Sequence, residues 1–201
     1  MKKFKIKTVS KTLLADIITP VSVYLRIRDV YPNSLLLESS DYRGSENSYS
    51  FICLQPVAGF ETDNGIIKET YPSGSVIETA ITDTRTFTSR FDKFIQSFDQ
   101  SVSDNTVPAN GLFGYISYDA IKYFETINLN EKRNSDYKIP DIRYHLYKYI
   151  IAINHFQNTL QIIENQIDDD KSDLEKIETL LKSRNFAIYS FRTEGEEQQN
   201  I

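Results

Sequence analysis

Cysteine occurs once in the 201 residues, as Cys53, so no disulfide can form within the chain. Set between Ile52 and Leu54, the thiol reads as a small buried side chain, and a lone thiol suits a reducing compartment, so the expected location is the cytoplasm. Long apolar runs are also missing. Stretches such as 150–153 and 35–37 fall far short of the ~18–20 residues that cross a bilayer, and no membrane span is expected. Residues 1–7 carry the positive charge of a signal peptide without the apolar stretch and cleavage site that should follow, and read as a strand. An excess of basic charge is lacking too: 23 Lys and Arg stand against 28 Asp and Glu, a net charge of -5 with no basic face, which argues against a nucleic-acid partner.

Catalytic equipment is equally thin. There are two histidines, His145 and His155, and both are read as structural. The carboxylates show no zinc or two-metal spacing, and the run 168–170 lacks the ordered spacing and central glycine of a calcium loop. Gly111 and Gly114 are followed by no lysine and match no phosphate-binding signature. A complete hydrolase, metalloenzyme or nucleotide-binding protein is thereby set aside, and no cofactor is expected on these residues themselves.

What is present is enough for one core: 40% of the side chains are hydrophobic and 12% aromatic. Phe4, Ile6 and Val9 suggest an opening strand. Thr19-Pro20 is a helix start with Thr19 as cap and Pro20 as first residue, and the helix is expected over 20–29. Short β-favouring runs follow from 35 to 81, among them 35–37, 49–52 and 57–61, with a tight hairpin at Asn64-Gly65. Residues 86–98 return to helical spacing, with Phe87, Phe91, Phe94, Ile95 and Phe98 on one face and Thr86 or Thr88 as cap. A polar loop is expected over 101–110 and a polar connection over 128–138. Residues 142–154 and 159–167 read as a second hairpin, and a helix starts near Ser172. The order of elements predicts an α+β fold, a mostly antiparallel sheet with packed helices, in one domain over 1–193. The polar end 194–201 reads as a linker to a domain beyond it.

Two segments combine polar groups with a tightly packed setting. In Leu35-Leu36-Leu37-Glu38-Ser39-Ser40 a carboxylate and a hydroxyl follow an apolar strand. They can cap a turn, which is common chemistry for such residues. They can also bind an α-amino acid, Glu38 pairing with the ammonium and Ser39 hydrogen-bonding through hydroxyl or amide. The other segment is Gly111-Leu112-Phe113-Gly114-Tyr115-Ile116-Ser117-Tyr118-Asp119, whose glycines permit close backbone approach.

These segments, with Asp16-Ile17-Ile18-Thr19-Pro20-Val21-Ser22-Val23-Tyr24, Tyr49-Ser50-Phe51-Ile52 and Asn154-His155-Phe156, resemble the amino-terminal region of the chorismate-using enzymes, above all the large subunit of anthranilate synthase. The resemblance implies a parent that converts chorismate to anthranilate, with ammonia from a glutamine amidotransferase subunit. Magnesium and the catalytic side chains would belong to a carboxyl-terminal domain absent from these residues, so the chain alone is expected to be inactive. It further implies L-tryptophan as feedback inhibitor, held between the amino-terminal motif and that absent domain. Glu38 and Ser39 match the tryptophan motif, and Tyr49 stands on the next strand where relatives place a basic residue. A phenol there can hydrogen-bond but supplies no charge. Asn154 replaces an aspartate and puts the contacts of that turn in question. The alternatives are the large subunit of aminodeoxychorismate synthase, whose motif tends to lack the acid at Glu38, and a stand-alone amino-acid-binding domain.

Overall fold

The computed structural model describes residues 3–38, 48–102, 111–125, 139–168 and 170–183. Ser39, the connections over 103–110 and 128–138 and the polar end 194–201 lie outside the described residues, apart from Ile139 and Pro140 beside the second connection. The fold is α+β, as expected. Its strands are β1 (Phe4–Leu14), β2 (Leu35–Leu37), β3 (Tyr49–Asp63), β4 (Ile66–Thr70), β5 (Val76–Ala80), β6 (Phe98–Val102), β7 (Phe113–Ile116), β8 (Ile142–Asn154) and β9 (Thr159–Ile167). The helices are α1 (Pro20–Ile27), α2 (Thr84–Ile95) and α3 (Leu174–Lys182), with a short 3₁₀ helix at Tyr118–Tyr123.

Among the described residues the strands form a single sheet in the order β5-β4-β3-β8-β9-β1-β6, with β2 added beside β3 and β7 beside β8. All pairings are antiparallel except β1 with β6. On β1, Phe4 and Ile6 pack with the α2 residues Phe87 and Phe94, whereas Leu13 packs with Val23 and Ile27 of α1 and Ile177 and Leu181 of α3. Side chains of opposite parity on a strand point to opposite faces. So α2 covers one face, and α1 with α3 the other.

Local chemistry starts and stops these elements. Thr19 Oγ1 accepts from the Ser22 amide at 3.1 Å, and Ser22 Oγ accepts from the Thr19 amide at 3.2 Å, a reciprocal cap with Pro20 at the first position. The helix ends at Ile27, two residues short of expectation. Asn64 and Gly65 take φ of 49° and 73°, the left-handed pair a two-residue hairpin needs, and join β3 to β4. The carboxylate of fully buried Glu164 accepts from Ser172 Oγ at 2.6 Å and from the Asp173 amide at 3.0 Å, placing negative charge at the amino end of α3.

Two expectations are corrected. The runs 49–52 and 57–61 belong to one 15-residue strand, β3. A bulge interrupts its ladder to β8 between Pro56 and Ala58, beside Gln55 at φ 56°, so a residue without an amide hydrogen is tolerated inside the strand. The helix expected over 86–98 instead spans Thr84–Ile95. Asp83 caps it, accepting from the Thr86 amide at 2.7 Å, and Phe98 opens β6 opposite Phe4. Phe98 still meets Phe94 edge-on at 5.2 Å and stacks on Phe4 at 5.9 Å, so it belongs to the same apolar cluster without belonging to the helix.

Candidate functional site

Strand β2 is three residues long and pairs Leu35, Leu36 and Leu37 with Cys53, Ile52 and Phe51. Glu38 follows the last pair directly and is exposed. Tyr49, at the start of β3, is half-buried and stacks on Phe51 with ring centroids 5.9 Å apart and planes inclined by 17°. Phe51 in turn meets Phe113 at 5.4 Å. Glu38 and Tyr49 therefore stand at the same end of the β2–β3 pair, Tyr49 within a strip of three partly exposed rings, and the two segments singled out from the sequence come together through Phe51 and Phe113.

The strip borders a cleft of about 110 Å³ walled by Leu35, Phe113, Tyr115, Arg143, His145 and Tyr147, among others. Two glycines make this wall possible. A side chain on Gly114 would run into the Arg143 carbonyl, and one on Gly59 would meet the His145 ring at 2.5 Å. Glu61 lies 3.2 Å from His145 Nε2 and 2.9 Å from Arg143 Nε, the latter without hydrogen-bond alignment. The His145 hydrogen bond first, and the Arg143 charge after it, hold the Glu61 carboxyl below its usual range, so it stays ionised. Burial pushes the Tyr147 phenol up to about 12 and raises Tyr115, which donates to the Pro140 carbonyl at 3.1 Å. Glu61, His145 and Tyr115 are thus engaged with groups of the chain itself. Cys53 is fully buried and its thiol is pushed up by that burial, which matches the reading of an inert small side chain.

A larger cleft, about 730 Å³, runs along α2 past Phe87, Phe91, Ile95, Leu112 and Phe124. Its wall is mainly apolar, interrupted by Thr88 and Asp92. Size therefore does not mark the candidate site. The residues nominated from the sequence stand at the Glu38–Tyr49 end instead. No group of three or more His, Cys, Asp or Glu among the described residues is placed to hold a metal ion. No described helix is long and apolar enough to cross a membrane.

The pattern of residues alone did not reveal one contact. His155, in the β8–β9 turn, reaches back to β3, where its Nε2 lies 2.7 Å from the Ser50 hydroxyl beside Tyr49. The available signal was the Asn154-His155-Phe156 match. Asn154 answers the question raised by its substitution for aspartate: its Oδ1 accepts from the Phe156 and Gln157 amides, each at 2.9 Å, the acceptor role a carboxylate would fill.

Comparison with known proteins supplies the remaining observation. No family model matches the chain. It is 28% identical over 189 residues to anthranilate synthase component 1 of Lactococcus lactis, covering 94% of this chain and 38% of that protein. To the enzyme of the same name from Thermus thermophilus it is 24% identical over 169 residues, covering 84% and 34%. To that of Methanothermobacter thermautotrophicus it is 29% identical over 158 residues, covering 75% and 30%. The chain is thus similar to anthranilate synthase component 1 over most of its own length. It spans about a third of the length of these curated relatives. Among solved structures, anthranilate synthase component I from Streptococcus pneumoniae aligns over 84% of this chain and 34% of its own, with 20% identity and a TM-score of 0.48. The resemblance read from the sequence motifs is thus borne out at the level of the parent family.

Proposed function

We propose that this chain is the tryptophan-sensing amino-terminal domain of an anthranilate synthase large subunit, over 1–193, followed by a linker to a carboxyl-terminal catalytic domain. The observation that carries the reading is the placement of Glu38 and Tyr49 at one end of the β2–β3 pair, with the Tyr49 ring stacked on Phe51, which in turn meets Phe113. A carboxylate at the rim suits the ammonium of an amino acid, a half-buried aromatic strip suits an indole, and a charge-assisted hydrogen bond to the ammonium contributes about 1.5–3 kcal/mol. Ser39, next to Glu38 in the chain, supplies the hydroxyl. Tyr49 contributes its phenol, not the positive charge relatives place there. Tryptophan inhibits by binding one of two conformations more tightly than the other, which requires contacts from the catalytic domain as well.

In this reading the complete, cytoplasmic enzyme converts chorismate and ammonia, delivered by a glutamine amidotransferase subunit, to anthranilate. The magnesium such an enzyme uses belongs, in this reading, to the catalytic domain. The test is an assay of the complete gene product with chorismate, ammonium and magnesium, in parallel with the 201 residues alone. The complete product is expected to form anthranilate and to slow on adding tryptophan, and the 201 residues to form none. Turnover by the 201 residues, or a complete product indifferent to tryptophan, would overturn the proposal.

A further inference from the structure

One residue of the β8–β9 turn grips β3 on both sides of Tyr49. The His155 backbone N–H donates to the Ser48 carbonyl at 3.0 Å, and its Nε2 lies 2.7 Å from the Ser50 hydroxyl. Ser48 and Ser50, the chain neighbours of Tyr49, are 5% and 0% exposed. Tyr49 itself lies opposite Asn154 in the ladder. Because neighbouring side chains on a strand point to opposite faces, the Ser50 contact holds the strand from the face opposite the Tyr49 ring. The turn that presents His155 is itself fixed. Asn154 Oδ1 takes the amides of Phe156 and Gln157, and Asn158 adopts the left-handed conformation at φ 50°. Glu38 comes next in register after the Leu37–Phe51 pair, level with Ser50, so the same grip bears on the stretch of β3 beside Glu38 as well as on Tyr49.

We propose that His155 is a positioning residue for the tryptophan site, fixing through Ser48 and Ser50 the strand segment that carries Tyr49 and faces Glu38. This rests on the tryptophan-sensing reading above. A site whose strand end wanders binds only in the fraction of molecules that hold the competent geometry, and apparent affinity falls by that fraction. His155 touches no ligand in this scheme and acts only through β3.

The test measures, in the complete gene product, the ratio of rates with and without tryptophan. His155→Ala and Ser50→Ala are each expected to raise the half-inhibiting tryptophan concentration about fivefold or more, within the usual range of coupling between sites. His155→Gln, which retains a side-chain N–H donor, is expected to recover part of the loss. Phe156→Ala, in the same turn but 57% exposed, should leave it within about twofold of wild type. In nitrogen NMR spectra the His155 ring signal should move on adding tryptophan to wild type and not to Ser50→Ala. If His155→Ala fails to fold, Ser50→Ala, a loss of one oxygen, carries the test. A responsive wild type whose Ser50→Ala and His155→Ala variants respond identically overturns this inference and leaves tryptophan sensing intact. A wild type that ignores tryptophan overturns both.

Discussion

The two ends of β3 and β8 are built to opposite effect. Beneath α2, Phe60 is fully buried against Phe87, Phe91 and Phe94 at 5.6, 4.9 and 5.5 Å. The Glu69 carboxylate, also fully buried, is taken up by Arg90 in two contacts of 2.6 and 2.7 Å and by the Tyr71 hydroxyl at 2.7 Å. There the polar groups close on one another, and the product is stability. At the opposite end Glu38 is exposed and Tyr49 and Phe51 are half-buried. The same ladder is thus closed into core at one end and left partly exposed at the other.

The largest effect is expected at the closed end. Arg90→Ala strands the Glu69 carboxylate without its counter-charge and should cost about 3–5 kcal/mol in chemical denaturation. A loss under about 1 kcal/mol would show that water reaches Glu69 and that the contrast is weaker than drawn. Glu38→Gln, by contrast, should change stability by no more than about 0.5 kcal/mol, because its carboxylate is exposed.

A second effect concerns alkaline pH. Burial first, and the carboxylates of Glu69 and Asp141 for Tyr71 and Tyr123, push the phenols of Tyr71, Tyr123 and Tyr147 up to about 12 from an ordinary 10. The folded state keeps these protons where the unfolded chain has lost them. The stability they contribute is therefore complete below pH 10 and is lost as pH rises from about 10 through about 12. Phenolate absorbance from these rings should appear together with loss of far-ultraviolet dichroism. Ionisation of all thirteen tyrosines near pH 10 with the fold retained would contradict this.

A smaller effect is expected at the β8–β9 turn. Asn154 is 2% exposed, its Oδ1 takes two amides, and its Nδ2 has no hydrogen-bond partner among the described residues. Asn154→Ala should cost about 1–3 kcal/mol by leaving two amides unpaired. Asn154→Asp keeps the acceptor and should fall within about 1 kcal/mol of wild type. Equal losses in thermal unfolding of the two variants would show that the acceptor is not what matters.

How far this was legible in the sequence depended on whether a signal was local. Thr19-Pro20 and Asn64-Gly65 fix backbone geometry within a few residues, and both features are where the sequence put them. The apolar stripe from Phe87 to Phe98 misled because core membership does not distinguish a helix from the strand after it, and Asp83 set the helix start from outside the stripe. Pro56 divided one strand into two runs because the bulge that accommodates it depends on the partner strand β8. At the site, Glu38 and Tyr49 could be nominated from their motifs, whereas Ser50 and His155 are 105 residues apart and only the folded ladder joins them.

Calorimetric titration of tryptophan into the complete gene product, its Glu38→Gln variant and its Ser39→Ala variant tests the central claim most directly. Tryptophan sensing at the β2–β3 edge predicts saturable binding to the wild type, weakened about tenfold or more by each substitution, the equivalent of about 1.4 kcal/mol. Binding of unchanged strength in both variants, or none to the wild type, would contradict it.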